Sequence, residues 1–591
     1  MKLSDYIAQF FVGQGVEKAF VLTGGCIVHV IDSLAKTPGI EYIPVQHEQA
    51  GAMAADAYAR ITGNIGVALA TSGPGATNLL TGACCSYYDS IPVVLITGQV
   101  PTSQLKRNSA SRQIGFQETD VVSIFQSVTK YAKLVDDAKM IRYELEKACY
   151  LARAGRPGPV LLDICDDVQR AEINPADLVS FDPEEGASGV SHVHESVAQL
   201  VELINRADRP VMIFGGGVRL AGALPLLKVL IERYQVPFSL TWAGMDYLPH
   251  DQPLFVGGFG VTSGRPGNFA VQNADLIVAI GTRLDTHEAG SNLKTFGREA
   301  KKIVVDIDAA EQEKYAQMGM AVDLLITADA RDVMKAMIDK AGAVHRRDRS
   351  AWLSRIHRWK VDYPICQEAY RNQAEKVNPY VFMERLSSLA SDRAVLVTDC
   401  GSNLIWTMQG FAIKGDQRVI SAFNHSPMGY SLPASIGAAL ANPNRQTICI
   451  SGDGGFQINV QELATIQRHR IDVKIFILNN HGHGIIQSTQ DNWLGGRHHA
   501  AHPDEGGLPD PDFEKIAQAY GIMTERIDSN DELTDKIKKV LSAQGPVVCN
   551  VHQLFGPQIA PKLLYGRPIE DSDPLLPRDE FHANMIVKAI T

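Results

Sequence analysis

The chain has 591 residues, 45% of them apolar, and a formal net charge of -10; that is enough for three or four domains and too acidic in balance for a general nucleic-acid binder. Its nine cysteines include no Cys-x-x-Cys pair, which excludes the spacing of a disulfide framework or a zinc site and fits a reduced cytoplasm. The N-terminus, Met1-Lys2-Leu3-Ser4-Asp5-Tyr6, lacks the basic-then-apolar layout of a signal peptide, and no apolar run has the length needed to cross a bilayer.

Residues 4 to 15 repeat apolar positions at helical spacing, and Phe20-Val21-Leu22 runs as a short strand into Thr23-Gly24-Gly25. Strand, glycine turn and new helix begin a doubly wound α/β domain. The next strand, Tyr42-Ile43-Pro44-Val45, ends in Gln46-His47-Glu48-Gln49, and the Ala-rich segment from Ala50 to Arg60 reads as a helix that allows close approach of a neighbouring backbone. Glu48 then stands at a strand-to-helix junction, where the helix dipole alone favours a carboxylate by about 0.3–1 kcal/mol. The stretch from about 175 to 195 reads as a linker. A second α/β unit follows, with strands Pro210 to Phe214, Leu276 to Ile280 and Ile303 to Val305. They end in Gly215-Gly216-Gly217, Gly281-Thr282-Arg283-Leu284-Asp285 and Asp306-Ile307-Asp308. Glycine-rich strand ends admit a dinucleotide and acidic groups suit its ribose; the alternative is a domain that keeps only the fold of nucleotide binding.

Residues 340 to 376 read as a charged helical connector, with Arg346, Arg347, Asp348 and Arg349 solvated. The third unit starts near Asn378-Pro379, and its first strand, Ala394 to Asp399, runs into Cys400-Gly401-Ser402-Asn403, whose backbone donors suit a diphosphate. Thr447 to Ile450 then leads to Gly452-Asp453-Gly454-Gly455, and Val473 to Leu478 leads to Asn479-Asn480-His481-Gly482, with a helix-like crossover, Gln461 to Arg468, between them. One carboxylate, one carboxamide and a free backbone carbonyl at the carboxyl ends of parallel strands suit a hard cation such as Mg²⁺. The stretch from Pro561 to Thr591 is Pro-rich and extended, with a short helix near its end. It reads either as a flap over a site or as an interface element.

Gly452-Asp453-Gly454 followed at this distance by Asn479-Asn480 resembles the thiamine diphosphate (ThDP) motif of the ThDP-dependent decarboxylases and carboligases. His47-Glu48-Gln49-Ala50, Thr71-Ser72-Gly73-Pro74-Gly75-Ala76-Thr77-Asn78 and the run from Asp89 to Gln99 look like consecutive signatures of the acetolactate synthase-like branch. Phe116-Gln117-Glu118, Gly155-Arg156-Pro157-Gly158-Pro159-Val160 and Met428-Gly429-Tyr430-Ser431-Leu432-Pro433-Ala434 follow in the family's order. The resemblance implies an α/β chain of three doubly wound parallel-sheet domains: a pyrimidine-binding domain over 1–180, a central FAD-binding-type domain over 190–345 and a diphosphate-binding domain over 365–555, with a tail over 556–591. It implies Glu48 as the glutamate on the cofactor's aminopyrimidine, Met428 as the apolar residue that bends the cofactor, and Phe116 and Gln117 among the catalytic residues. ThDP would also meet Gly25, Ser72, Pro74, Asn78, Gly401, Ser402, Asn403, Gly452, Asp453, Gly454, Gly455, Asn480, Gly482, His483 and Gly484. Mg²⁺ would sit on Asp453, Asn480 and the carbonyl of Gly482. FAD, in a structural role, would meet Arg156, Gly215, Gly216, Gly217, Thr241, Gly244, Gly258, Phe259, Gly260, Gly281, Arg283, Asp285, Asp306, Ile307 and Asp329, although Ala328-Asp329 stands where the family usually has Gly-Asp. Family sites draw on two subunits, so a homodimer or homotetramer is implied.

Breaking the C1–C2 bond of a 2-keto acid such as pyruvate requires a carbanion sink that no side chain supplies and ThDP does. The His pair typical of simple decarboxylases is missing near Glu48 and from residues 99 to 120, so carboligation is expected. The acceptor side departs from acetolactate synthases. Extra sequence between Pro101 and Phe116 brings Lys106, Arg107 and Arg112; Cys165-Asp166-Asp167 replaces Pro-Lys-Asp; Thr489 stands at a tryptophan position. These changes point to acetyl transfer from pyruvate onto a larger, uncharged ketone such as a nucleotide-linked 4-keto-deoxysugar, as in the flavin-containing carboligases of branched-sugar (yersiniose-type) biosynthesis. Condensation of two 2-keto acids is the alternative.

Overall fold

The computed structural model describes residues 1–183, 193–345, 347–554, 556 and 559–590. Three parallel sheets, each covered by helices, make an α/β chain. The first contains β1 (Lys18–Val21), β2 (Glu41–Pro44), β3 (Gly66–Ala70), β4 (Val93–Gln99), β5 (Tyr131–Val135) and β6 (Val160–Cys165), in the order β2-β1-β3-β4-β6-β5. The second contains β7 (Pro210–Phe214), β8 (Phe238–Leu240), β9 (Leu276–Ile280), β10 (Lys301–Asp306) and β11 (Leu324–Thr327), in the order β11-β10-β9-β7-β8. In the third, β12 (Val395–Thr398), β13 (Arg418–Ile420), β14 (Thr447–Gly452), β15 (Val473–Asn479), β16 (Met523–Ile527) and β17 (Val547–His552) run β13-β12-β14-β15-β17-β16. The first and third sheets therefore share one topology. Their inner strands are buried on both faces, which is why they read as unbroken apolar runs.

In each sheet the strand order reverses beside its first strand, β1, β7 or β12, the kind of place where open α/β sheets leave a crevice. Small residues meet there. A Cβ on Gly24, after β1, would lie 2.4 Å from Thr71 Cγ2, after β3; one on Gly215, after β7, would lie 2.5 Å from the Gly281 carbonyl, after β9. In the third sheet a Cβ on Gly455 would lie 2.8 Å from Asp399 Oδ1. Only glycine lets these chain segments touch.

The Ala-rich segment forms the helix Glu48–Thr62, which packs on the helix Ser431–Ala441. A Cβ on Gly437 would fall 1.9 Å from the Ala54 carbonyl oxygen, so the two backbones are in contact. Around this seam Asp56, fully buried, accepts from Arg60 Nε (2.6 Å), Ser86 Oγ (2.8 Å) and Tyr430 Oη (2.5 Å), tying the first sheet's layer to the third's.

One sequence expectation needs correction. Arg349 is buried, 7% exposed, and donates to the Ile204 and Ala207 carbonyls, while Trp352, Ile356 and Trp359 of the next helix pack into the central core. The connector is amphipathic, and its polar composition hid the buried stripe. Arg346 and residues 184–192 of the expected linker lie outside the described residues. The tail lies along the central unit: Ile569 and Phe581 enter its core, Asn268 donates to the Ile569 carbonyl, and Arg298 and Gln272 hold the Glu570 carboxylate at 2.7 and 2.6 Å. Among the described residues no helix is long and apolar enough to cross a membrane.

Candidate active site

A cavity of about 1170 Å³ opens where the carboxyl ends of the third sheet face those of the second. β12 delivers Gly401, Ser402 and Asn403, β14 delivers Gly452, Asp453, Gly454 and Gly455, and β15 delivers Asn480, Gly482, His483 and Gly484; all of them and Met428 line the cavity. Asp453 begins the helix Asp453–Ile458, so its carboxylate sits at a helix start, where it accepts from Gly454 N (2.7 Å) and Gly482 N (2.9 Å). Burial pushes this carboxyl up to about 6, against the pull of those two N–H groups. Among the described residues the buried Ser402 hydroxyl has no hydrogen-bond partner, which leaves a donor for a phosphate oxygen. Among the described residues no cluster of three or more His, Cys, Asp or Glu could hold a metal. The donors available here are one carboxylate, one carboxamide and backbone oxygen, the set that suits a hard cation rather than a soft one.

Asp399, fully buried beneath this floor, was read from sequence only as a strand end. Its carboxylate accepts from Cys400 N (3.0 Å), Gly429 N (2.9 Å), Ser431 N (3.0 Å) and Ser431 Oγ (2.8 Å). It fixes the turn that presents Met428. A lone Asp between Thr398 and Cys400 was the only signal.

The opposite wall comes from the central unit. Gly216, Gly217, Thr241, Phe259, Gly281, Arg283, Asp285, Asp306, Ile307 and Asp329 line it, and Arg156, just before β6 of the first unit, joins them. Gly215, Gly244, Gly258 and Gly260 stand behind the lining, where each lets two segments touch: a Cβ on Gly258 would meet Met245 Cε at 2.9 Å, and one on Gly260 the His287 carbonyl at 2.7 Å. The glycine ends thus leave bare backbone toward the cavity, as close approach of a dinucleotide requires. Arg156 donates to Asp308 (2.9 Å) and Glu311 (2.8 Å). Burial raises the Glu311 carboxyl, but Lys314 and Arg156 overcome it and bring it down to about 2. Sequence reading passed over three neighbours, Trp242, His287 and Glu288. The first two rings lie 4.0 Å apart, and burial pushes the Glu288 carboxyl, which accepts from Thr282 Oγ1 at 2.7 Å, up to about 8.

Glu48 and its expected companions do not line this cavity. They gather at the switch point of the first sheet. Asn78 Nδ2 donates to Glu48 Oε2 at 2.9 Å, and a Cβ on Gly75 would lie 3.3 Å from Glu48 Oε1. Pro74 opens the short helix Pro74–Asn78, the Ser72 hydroxyl is buried without a partner among the described residues, and Cys26 N, next to Gly25, donates to Thr71 Oγ1. Gln117, at φ 62°, packs on Gly73, and Phe116 beside it is 83% exposed. The loop before them folds on Glu118, whose carboxylate accepts from Lys106 N and Ile114 N. The expected site residues therefore fall into two groups, one at each matching sheet.

Three family descriptions match the chain in order: the N-terminal TPP binding domain of thiamine pyrophosphate enzymes over residues 1–124, the central domain over 197–337 and the C-terminal TPP binding domain over 399–551. The acetolactate synthase isozyme 2 large subunit of Escherichia coli is 34% identical over 93% of this chain and 95% of that protein. The acetolactate synthase large subunit of Cyanidium caldarium is 32% identical over 92% of this chain and 91% of that protein. A probable acetolactate synthase large subunit of Methanocaldococcus jannaschii is 34% identical, covering 93% and 92%.

Proposed function

Because the chain belongs to the thiamine pyrophosphate enzyme family, we propose that its cavity is the catalytic site of an acetolactate synthase-like carboligase that joins an acetyl unit from pyruvate to a carbonyl acceptor. The observation that carries this reading is the convergence of the glycine turn at 452–455, Asn480 and Met428 on one cavity at a sheet switch point. The chain's groups fit ThDP: Ser402 and the bare backbone at Gly401, Gly454 and Gly484 would hold its diphosphate, and Asp453, Asn480 and the Gly482 carbonyl would hold Mg²⁺. Bound there, ThDP supplies the electron sink for cleavage between C1 and C2. Met428, braced through Asp399, would set the bend between the cofactor's rings. Glu48, kept in place by Asn78, would polarise the pyrimidine.

Since Glu48 stands apart from the cavity of its own chain, a second copy would bring it to the site, as a homodimer or homotetramer. Gln117, Phe116, Gly25, Ser72 and Pro74 would arrive with it. The central glycine ends would take FAD, in a structural role, because acetyl transfer involves no net redox change. The setting proposed for this chemistry is cytoplasmic.

A second 2-keto acid, giving acetolactate, is the acceptor that the relatives' names favour. One observation favours a ketone with no carboxylate beside its reacting carbonyl, such as that of a nucleotide-linked 4-keto-deoxysugar. Five of the arginines that line the cavity are already matched by carboxylates: Arg60 by Asp56 and Asp89, Arg156 by Asp308 and Glu311, Arg219 and Arg418 by Asp246, and Arg283 by Asp285. Arg153 donates instead to Gln14 and Asn64. A second carboxylate would find little free positive charge from the described residues of this chain. Product analysis of the purified protein with ThDP, Mg²⁺ and pyruvate, with and without ketones, tests both readings. Acetolactate from pyruvate alone supports the keto-acid acceptor; a tertiary alcohol formed only with added ketone supports the second reading; carbon dioxide release with no new carbon–carbon bond would overturn carboligation.

A further inference from the structure

His483 is held on both sides by its backbone. Its N–H donates to the Ala501 carbonyl at 3.1 Å, and its own carbonyl accepts from Ile486 N (2.9 Å) and Gln487 N (3.0 Å) as the helix Gly484–Leu494 begins. The ring is thereby directed onto Gly454 and Met428. A Cβ on Gly454 would lie 2.6 Å from His483 Nε2 and 2.9 Å from Met428 Cε, so the imidazole and the thioether methyl share the space that this glycine leaves. Both side chains line the cavity. Neither ring nitrogen has a hydrogen-bond partner among the described residues, whereas Asp453 and Asp399 are occupied by backbone N–H groups. The cavity thus contains, beside the methionine expected to shape the reacting face, an imidazole that carries an N–H donor in either charge state.

We infer that His483 donates a hydrogen bond to the carbonyl oxygen of the acceptor and so favours ligation over aldehyde release. The inference rests on the carboligation reading above and holds for either acceptor. As the two-carbon unit left by decarboxylation of pyruvate adds to the acceptor's carbonyl carbon, one carbon–carbon bond forms and the C=O π pair moves onto oxygen. The proton that oxygen finally takes comes from water. A donor placed at that oxygen is stronger in the transition state than in the ground state, which is the condition for acceleration. Protonation of the two-carbon unit itself, which releases an aldehyde, develops no charge at that position. Removing the donor should therefore change how the reaction partitions.

The experiment compares wild type, His483→Leu and His483→Gln, each loaded with ThDP and Mg²⁺ and given pyruvate and an acceptor. It measures ligation product per carbon dioxide released, and ThDP affinity by quenching of protein fluorescence. A ratio about tenfold lower in His483→Leu, at least partly restored in His483→Gln, with ThDP affinity moving less than the ratio, is the expected result. An unchanged ratio in His483→Leu, an equal loss in both variants, or a loss that follows ThDP affinity would each overturn the donor role. Wild-type protein that binds ThDP and releases carbon dioxide without ligation would refute the carboligation reading itself, and the inference with it.

Discussion

Asp399 lies at the floor of the cavity and Glu462 outside it, and each accepts backbone N–H groups next to residues proposed to act there. Glu462, fully buried, accepts from Gln46 N at 3.0 Å and from Thr465 Oγ1 at 2.8 Å. A side chain after the third sheet's β14 thus fixes the strand end that carries Glu48. Burial pushes the Glu462 carboxyl up to about 7, above its unfolded value of about 4.3. The folded state therefore binds this proton more tightly, and the stability it contributes is fully present below the unfolded pKa and lost as pH rises through the folded one. Glu462→Gln keeps an oxygen for Gln46 N and removes the titration. Its Tm should fall less than that of the wild type between about pH 4.3 and 7; parallel thermal-denaturation profiles across that range would refute the assignment. Such residues were hard to read in sequence because their work is done through backbone amides, which carry no sequence mark. Asp453 and Asn480 stood out because their neighbours are glycine and a second asparagine.

The helix pair Glu48–Thr62 and Ser431–Ala441 was half legible. The run of alanines predicted close backbone approach, but not the partner, which lies hundreds of residues away in the chain. Gly437 is where the two backbones touch, 1.9 Å from a would-be Cβ to the Ala54 carbonyl oxygen. Gly437→Ala gains helix propensity but forces the helices apart, and overpacking of this kind costs about 1–3 kcal/mol. Chemical denaturation should show that loss in the midpoint without a change of slope; a variant as stable as wild type would mean that the seam yields. The glycine turns at the strand ends were legible for a related reason: a bend at a crowded switch point admits no Cβ, and that restriction is written in the residue type itself. The edge strands β5, β11, β13 and β16 were not. They are short and partly exposed or poorly patterned, and pairing with a buried neighbour, not local propensity, makes them strands.

The tail joins the units. Beyond its grip on the central core, Lys562 Nζ donates to Ser488 Oγ at 2.6 Å and Tyr565 lies edge-on to Trp493, so the tail also reaches the helix that follows His483. A chain ending at residue 560 should lose this bracing and expose the apolar face now covered by Ile569 and Phe581. Its calorimetric Tm should fall and its binding of an apolar dye should rise; an unchanged Tm would show that the tail is dispensable for the central fold. By itself the sequence determined the three α/β units, their glycine-rich strand ends, and the acidic and amide residues that such ends present, because local periodicity and the steric demands of a turn are properties of neighbouring residues. The tertiary structure alone decided that two of the sheets share one topology, that Glu48 does not line the cavity that Asp453 lines, that five of the lining arginines are matched by carboxylates, and that the tail braces the central unit. Those facts depend on which distant segments come to lie side by side, and only packing of the whole chain fixes that.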